Sequence, residues 1–173
     1  VRARLAASNE QLLQTQIALS EIAAPSGAEG ARGRDVATRM RALGLDDVHV
    51  DEVGNVAGAR AGADDAASPI VVCAHLDTVF PDGMAVAVTR DGPRLAGPGI
   101  VDNARGLAVL LALAEAIDGT RVRTLRPVLF VATVGEEGAG DLRGVKHLFA
   151  RLERSPAALI ALDGAGDDRI VHR

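Results

Sequence analysis

Side chains that could bind a metal ion follow three apolar segments of the chain, directly after each segment ends. They are His75 with Asp77, Glu136 with Glu137, and Asp163. A further acidic residue, Asp102, lies between the turn Gly97-Pro98-Gly99 and an apolar helix pattern. Glycines let the backbone bend there, and a carboxylate is favoured near the start of a helix. Imidazole and carboxylate ligands together suit zinc, cobalt or manganese.

Each of these residues taken alone has a common structural explanation. An aspartate before a helix is often a cap, two glutamates after a strand often form a solvated turn, and a single histidine is usually structural. The carboxyl ends of parallel strands, however, meet at one edge of a sheet, so we expect these side chains to converge in one crevice. Carboxylates gathered at one edge repel one another unless cations neutralise them, which favours a metal site.

The apolar segments before these residues predict strands. Three continuous apolar runs are typical of strands covered on both faces, and they comprise residues 70–74, 128–134 and 158–162. Two shorter strands are predicted over 48–50 and 56–61, where the apolar pattern resumes after Gly54 and Asn55. Residues 86–99 predict a hairpin that turns at Asp91-Gly92.

Helical patterns separate these strands. Ser8 with Gln11, and Ser26 with Glu29, have the spacing of a capping box, in which two side chains satisfy free amides at the start of a helix. Apolar stripes at helical spacing comprise Val36, Met40 and Leu43; Leu107, Leu110, Leu111 and Ile117; and Val145, Leu148, Phe149 and Leu152. Strands that alternate with helices predict an α/β fold, a layered helix-sheet-helix domain with a largely parallel mixed central sheet.

The composition favours one domain and argues against nucleic-acid or membrane partners. The chain has 173 residues, of which 48% are hydrophobic, and this is enough for one substantial core. Its net charge of -4 offers no basic field for nucleic acid or an anionic membrane. The single cysteine, Cys73, favours a reducing compartment such as the cytoplasm. The first residue is Val1 rather than Met, which is compatible with a removed targeting segment.

Four motifs occur in order along the chain. They are His75-Leu76-Asp77-Thr78-Val79, Gly97-Pro98-Gly99-Ile100-Val101-Asp102-Asn103, Gly135-Glu136-Glu137-Gly138 and Asp163-Gly164. The set resembles the zinc-dependent two-metal hydrolases that include tripeptide aminopeptidase, carboxypeptidase G, acetylornithine deacetylase, succinyl-diaminopimelate desuccinylase and the aminoacylases. The resemblance extends from about residue 9 to the end of the chain, and the aminopeptidases are the most similar members.

This resemblance implies a role for each candidate residue. The implied metal ligands are His75, Asp102, Glu137 and Asp163. Asp102 would bridge two divalent ions, zinc in the first place and cobalt or manganese as alternatives. Asp77 would hold His75 in one tautomer, and Glu136 would be the general base that takes a proton from the attacking water. The resemblance also implies a fold of the zinc exopeptidase type and a cis peptide bond between Asp102 and Asn103.

The resemblance also predicts what residues 1–173 contain. They are expected to be the N-terminal part of the catalytic domain, without the lid and dimerisation domain and without the last histidine ligand of the second metal. The chain alone would then be weakly active or inactive, and the full-length protein would be a homodimer. His49, His147 and His172 do not match that ligand and are expected to be structural or exposed. Asn103 replaces an aspartate of many relatives, which we interpret as variation within the family.

Several functions are compatible with these motifs. Hydrolysis of a peptide is favoured, because Gly135-Glu136-Glu137-Gly138 and the helix after it are most similar to aminopeptidases. Hydrolysis of an N-acyl amino acid is the alternative reaction. A non-catalytic metal-binding module is a third hypothesis, and Glu136 argues against it because such a module needs no base. A sugar-binding or amino-acid-binding domain on the same scaffold has no separate signal in the sequence.

Overall fold

The apolar runs of the sequence form the central strands of a five-stranded sheet. The computed structural model describes residues 7–119 and 122–164. Within them the helices are α1 (Asn9–Ser20), α2 (Gly30–Ala42), α3 (Ala104–Gly119) and α4 (Arg143–Arg151). The strands are β1 (Asp46–Val50), β2 (Val56–Arg60), β3 (Ile70–His75), β4 (Thr89–Asp91), β5 (Arg94–Ala96), β6 (Val128–Thr133) and β7 (Ala158–Ala161).

The sheet has the strand order β1-β2-β6-β3-β7 and is mixed. β3 pairs in parallel with both β6 and β7, whereas β2 pairs antiparallel with β1 and β6. Four of its five strands therefore run in one direction. β4 and β5 form a separate antiparallel hairpin, as predicted. The predicted α/β fold with a largely parallel mixed sheet is confirmed.

Both faces of the central strands are covered because successive side chains of a strand point in opposite directions. In β3, Val72 and Ala74 lie in the main core, which also contains buried leucines of α1 and α3. Val71 and Cys73 lie in a smaller cluster on the other face, against Leu148 of α4. The helices thus form one layer on each side of the sheet, and the sheet edge between them is left for the candidate site.

Two predictions about burial are wrong. β7 was predicted to be covered on both faces, but Leu159 is 42% exposed and Ile160 is 48% exposed. Within the described residues β7 is the last strand of the sheet and pairs with β3 alone, so its other edge gains no cover from a neighbouring strand. Phe149 was placed on the buried stripe of α4, but it faces solvent while Leu148 enters the smaller cluster.

The predicted capping boxes are also wrong. No side-chain capping bond is formed at Ser8, the residue before α1. Glu29, and not Ser26, occupies the capping position of α2, and it too makes no capping bond. Both Ser26 and Glu29 are engaged elsewhere, as described below. Gly44 follows α2 with a left-handed φ of 68°, a conformation that glycine adopts at low steric cost, as predicted for the end of this helix.

Among the helices in the part of the chain that the structure describes, none combines the length and the hydrophobicity that crossing a membrane requires.

Truncation of Phe130 tests the position of the main core. Its side chain is fully buried at the centre of β6, so Phe130→Ala is expected to lower the free energy of unfolding by about 3–5 kcal/mol through the cavity that it leaves. Phe149→Ala is the matched control, because this side chain is exposed, and we expect a loss of no more than about 1 kcal/mol. Urea unfolding measures both values. Equal losses for the two variants would contradict this description of the core.

Candidate metal centre

His75 is the last residue of β3 and lies at the centre of the candidate site. Its side chain is only 4% exposed. Its Nε2 atom lies 2.9 Å from Oδ1 of Asp102 and 3.6 Å from Oδ1 of Asp163. Ligand atoms of these three residues all lie within 4.8 Å of one another. Asp102 and Asp163 are exposed, so the buried imidazole lies beneath carboxylates that are open to solvent; we call this acidic region at the sheet edge the cleft.

Glu136 and Glu137 reach the same cleft from the neighbouring strand. Thr133, the last residue of β6, pairs with His75 in the parallel ladder, so the two strands end side by side. Gly135 then turns the chain with a φ of 59°, which favours glycine. A ligand atom of His75 and one from each glutamate lie within 4.8 Å of one another. The side chains that follow the three predicted strands therefore lie together at one edge of the sheet, as expected.

The loop that carries Asp102 is fastened to α1. Nε2 of Gln16 donates a hydrogen bond to the carbonyl oxygen of Ile100 at 2.6 Å. Oγ of Ser20 donates to the carbonyl oxygen of Pro98 at 2.8 Å. Both α1 side chains are buried. The first helix thus fixes the backbone just before Asp102.

Asn103 connects this loop to the segment that carries Asp163. The peptide bond between Asp102 and Asn103 is cis, as the resemblance implied. The Asn103 side chain is fully buried; its Nδ2 donates to the carbonyl oxygen of Leu162 at 2.9 Å, and its Oδ1 accepts from the amide of Gly106 at 3.0 Å. Leu162 directly precedes Asp163. One asparagine therefore holds the segments of the two candidate ligands Asp102 and Asp163 next to each other. An ionised aspartate at this position could not make the bond to Leu162, because it has no proton to donate.

Asp77 connects His75 to the glutamate pair. Its carboxylate is fully buried, and it accepts the amide of Glu136 at 2.9 Å on Oδ1 and the amide of Glu137 at 3.0 Å on Oδ2. The sequence predicted only that Asp77 orients the imidazole. Nδ1 of His75 lies 3.0 Å from the backbone carbonyl oxygen of Asp77 and 3.5 Å from its Oδ1. The carbonyl is thus the nearer partner of the imidazole, and the carboxylate has the additional task of holding the glutamate turn.

The charges of His75 and Asp77 depend on each other. Burial lowers the pKa of His75, but the hydrogen bond to Asp77 and the carboxylates of Asp77, Asp102 and Asp163 outweigh burial and raise this pKa to about 9. Burial raises the pKa of Asp77, but hydrogen bonds from His75, from Ser26 and from the two glutamate amides hold this pKa well below its usual range. The cleft therefore favours a cation at His75, which is a proton unless a metal ion takes its place.

The two glutamates are harder to ionise than an exposed carboxyl group. Burial raises the pKa of Glu136, and the carboxylates of Asp163, Asp77 and Asp102 add to this effect, while His75 opposes it. Burial also raises the pKa of Glu137, with further contributions from Asp102 and Glu136. A carboxyl group whose pKa moves toward neutrality is better suited to exchange protons near pH 7.

The chemistry of the donor set fits divalent transition metals. One imidazole and several carboxylates supply the mixed nitrogen and oxygen ligands that zinc, manganese and cobalt accept. Within residues 7–119 and 122–164, the ion pairs of Asp102 and Asp163 are made with His75 and not with lysine or arginine. The excess negative charge of the cleft is thus uncompensated by these protein groups, which is the arrangement that a bound cation would stabilise.

Two buried polar side chains that belong to no motif of the sequence, those of Arg32 and Gln16, also support the site. Arg32 of α2 is buried, and its guanidinium donates to the carbonyl oxygens of Leu76 at 2.7 Å and Ile22 at 2.6 Å. Burial lowers the pKa of Arg32 to about 10, against the effect of the Asp77 carboxylate. A polar residue on the buried side of a helix is the signal that could have identified Arg32 and Gln16.

The remaining histidines lie away from the cleft wherever the structure describes them. His49 is exposed on β1, with Nδ1 2.8 Å from the carbonyl oxygen of Asp47. Nε2 of His147 on α4 lies 2.8 Å from Oε2 of Glu52. His172 lies outside the described residues. His49 and His147 therefore agree with the expectation of structural or exposed histidines.

Substitution of Asn103 tests whether its amide holds the two acidic ligands together. Asn103→Asp keeps an acceptor for Gly106 but places a carboxylate against the carbonyl oxygen of Leu162, so we expect a loss of about 1–3 kcal/mol in the free energy of unfolding. Asn9→Asp is the matched control; Asn9 is exposed in the first turn of α1, where an added negative charge is tolerated. Chemical denaturation measures both variants. An unchanged stability of Asn103→Asp would refute the assigned hydrogen bond.

Known proteins resemble this chain in sequence and in structure. Over 83 residues, 48% of the chain, it is 43% identical to the alkaline phosphatase isozyme conversion protein of Escherichia coli strain K12, and it covers 23% of that protein. A tripeptidase from Staphylococcus aureus superposes with a TM-score of 0.76 and 27% identity, over 92% of this chain and 44% of the tripeptidase. For the aminopeptidase PepT of Bacillus cereus the TM-score is 0.73 and the identity 21%, over 91% and 44% of the two chains. The chain thus spans less than half the length of each of these relatives.

The family assignment rests on a longer match. Residues 55–171 match the family described as Peptidase family M28. This segment is more than half of the chain and contains all the candidate site residues, which are His75, Asp77, Asp102, Glu136, Glu137 and Asp163. The match, together with the tripeptidase and aminopeptidase neighbours, confirms the resemblance that the motifs indicated. The chain therefore belongs to Peptidase family M28.

Proposed function

We propose that this chain carries the catalytic metal centre of an enzyme that hydrolyses peptides from their amino end. The observation that supports this proposal most directly is that Glu136 lies within reach of His75, the residue whose ligand atoms also lie close to Asp102 and Asp163. A base next to a set of metal ligands is what hydrolysis requires. Membership of Peptidase family M28 favours peptides as substrates, and the likeness to a tripeptidase and to aminopeptidases favours short peptides.

We assign the candidate ligands to two ions, both proposed to be zinc. The first would be held by His75, Asp102 and Asp163, whose ligand atoms lie within 4.8 Å of one another. The second would be held by Asp102 and Glu137. His75 is also within reach of the glutamates, but its Nε2 atom faces Asp102 and Asp163 at 2.9 and 3.6 Å, which favours the first set. Three protein ligands that leave an open position match a catalytic zinc site.

Glu136 is proposed to be the general base. Glu136 and Glu137 are adjacent residues in a turn, so their side chains leave the backbone in different directions and can serve different partners. Ions bound in the cleft would supply Lewis acidity, which polarises a carbonyl group and makes water easier to deprotonate. Glu136 then accepts the proton of the attacking water and passes it to the amine that leaves.

Two other functions lead to different experimental outcomes. A deacylase would use the same metal ligands and base but would cleave N-acyl amino acids faster than peptides. A metal-binding module without activity would bind metal through His75, Asp102 and Asp163, would hydrolyse no substrate, and would have no function that substitution of Glu136 impairs. The family match favours the peptidase over both alternatives.

Metal removal is expected to abolish hydrolysis by the full-length protein. After treatment with 1,10-phenanthroline and desalting, turnover of a di- or tripeptide should be lost, and Zn²⁺, Co²⁺ or Mn²⁺ should restore it. Mg²⁺ should not, because it prefers octahedral oxygen ligation and avoids sites built around an imidazole. N-acetyl amino acids serve as comparison substrates, and faster cleavage of these would favour the deacylase. Undiminished peptide turnover in protein shown to be metal-free would exclude the proposal.

Substitution of the two glutamates separates the base from the ligand. Glu136→Gln removes a proton acceptor and no proposed ligand, so kcat is expected to fall about 100- to 10,000-fold while the bound metal stays nearly unchanged. Glu137→Gln is the matched control, because it alters a proposed ligand and should lower the metal content. Steady-state kinetics and elemental analysis measure the two effects. Loss of metal from Glu136→Gln would indicate that Glu136 is a ligand. Turnover of Glu136→Gln like that of the wild type would show that Glu136 is not the base.

A further inference from the structure

The connection between α1 and α2 reaches the metal centre from outside the segment that matches the family. This connection precedes residue 55, where the match begins. It runs beside the loop after β3, since the amide of Thr78 donates to the carbonyl oxygen of Ala24 at 2.9 Å and Pro25 forms a parallel bridge with Thr78. Two of its side chains, Ser26 and Glu29, extend further, toward the turn that carries the glutamate pair.

Glu29 is a buried carboxylate whose partners are the backbone of two turns and one arginine. Its side chain is 5% exposed. Its Oε1 atom accepts the amide of Gly135 at 3.0 Å, the amide of Gly27 at 2.9 Å and Nη2 of Arg143 at 3.2 Å. A buried carboxylate is costly unless it is paired and hydrogen-bonded, and here these three donors meet that need. Gly135 is the residue directly before Glu136.

Ser26 acts on the same turn through Asp77. Its Oγ atom donates to Oδ2 of Asp77 at 2.6 Å. That same oxygen accepts the amide of Glu137, and the other oxygen of Asp77 accepts the amide of Glu136. Three consecutive backbone amides, those of residues 135, 136 and 137, are thus held by two buried carboxylates.

This arrangement matters because the glutamate side chains themselves are only half-buried. Packing around a half-buried side chain is loose, so the direction in which Glu136 and Glu137 point depends on their backbone. If Glu29 is removed, the amide of Gly135 loses its acceptor inside the protein, and an unsatisfied buried donor drives the turn to rearrange. The base and the proposed ligand would then move together.

We propose that Glu29, assisted by Ser26, is a positioning residue that fixes the turn from Gly135 to Glu137 and thereby aims the base Glu136 and the ligand Glu137. The kinetic consequence rests on the proposed function, whereas the effect on the turn does not. Neither residue makes a hydrogen bond to His75, Asp102 or Asp163; Glu29 acts through the backbone of the turn, and Ser26 acts through Asp77.

The test compares three variants of Glu29 and Glu21 in the full-length protein. Glu29→Ala removes the acceptor, and Glu29→Gln keeps an uncharged oxygen that can accept the same amides. Glu21→Ala is the matched control, because exposed Glu21 also accepts a backbone amide, that of Val88 at 3.1 Å, but lies away from the glutamate turn. Glu29→Ala should lower kcat by up to about 100-fold with little change in KM, as expected for misplaced catalytic groups. Glu29→Gln should recover most of that loss, and Glu21→Ala should show none.

Hydrogen exchange measured by mass spectrometry supplies a readout that is independent of activity. Glu29→Ala should accelerate exchange in the segment 134–140 while the segments of β3 and α3 stay as in the wild type. If the wild type hydrolyses no peptide, the proposed function fails, but the exchange data still decide the positioning role. If Glu29→Ala does not fold, Ser26→Ala takes its place, because Ser26 is exposed and its loss removes only the bond to Asp77.

Three results would overturn the inference. The first is wild-type kcat and wild-type exchange at 134–140 in folded Glu29→Ala, or in Ser26→Ala where that variant takes its place. The second is a general loss of stability in Glu29→Ala without a change in kcat or in local exchange, which would indicate a purely structural role. The third is an equal loss of kcat in Glu29→Gln and Glu29→Ala, since the retained oxygen would then have no effect.

Discussion

The candidate site depends on the buried carboxylate of Asp77. A fully buried negative charge is unfavourable unless hydrogen bonds satisfy it, and the groups that satisfy Asp77 come from three separate parts of the chain. Ser26 precedes α2, His75 ends β3, and the amides of Glu136 and Glu137 follow β6. The buried charge of Asp77 thus holds together the three parts of the chain that carry Ser26, His75 and the glutamate pair, whereas the segments of Asp102 and Asp163 are held through other buried polar side chains.

The strand ends could be predicted from the sequence because their causes are local. A continuous apolar run that stops at a polar residue shows both the strand and its end, and this pattern placed His75 and the glutamate pair correctly. The burial of β7 was predicted wrongly because apolar composition does not reveal whether a strand is central or at an edge. Phe149 shows the same limit on a helix, since its neighbour Leu148 has an equally apolar side chain and the sheet decides which one is covered.

The hydrogen bonds of the side chains that support the site could not be predicted, because each bond joins residues that are distant in sequence. Ser26 and Glu29 have the spacing of a capping box, and the same two side chains that could cap a helix bind instead to Asp77 and Gly135. Gln16 and Arg32 bond to carbonyl oxygens of loops that no local pattern connects to them. Helix propensity and periodicity carry no information on such partners. In the sequence, Gln16 and Arg32 are visible only as polar residues on the apolar face of a helix.

The hydrogen bonds of Asp77 and Glu29 also constrain the order in which the protein can fold. Ser26 and Asp77 are 51 positions apart, and Glu29 and Gly135 are 106 positions apart. Contacts between such distant positions form slowly because a long loop must close before they contribute any stability. The parallel pairing of β3 with β6 brings the turn after β6 to the edge where Asp77 lies, so we expect this pairing to form before the bonds that Asp77 and Glu29 make to that turn. We therefore expect the cleft to form late in folding, after the sheet is assembled.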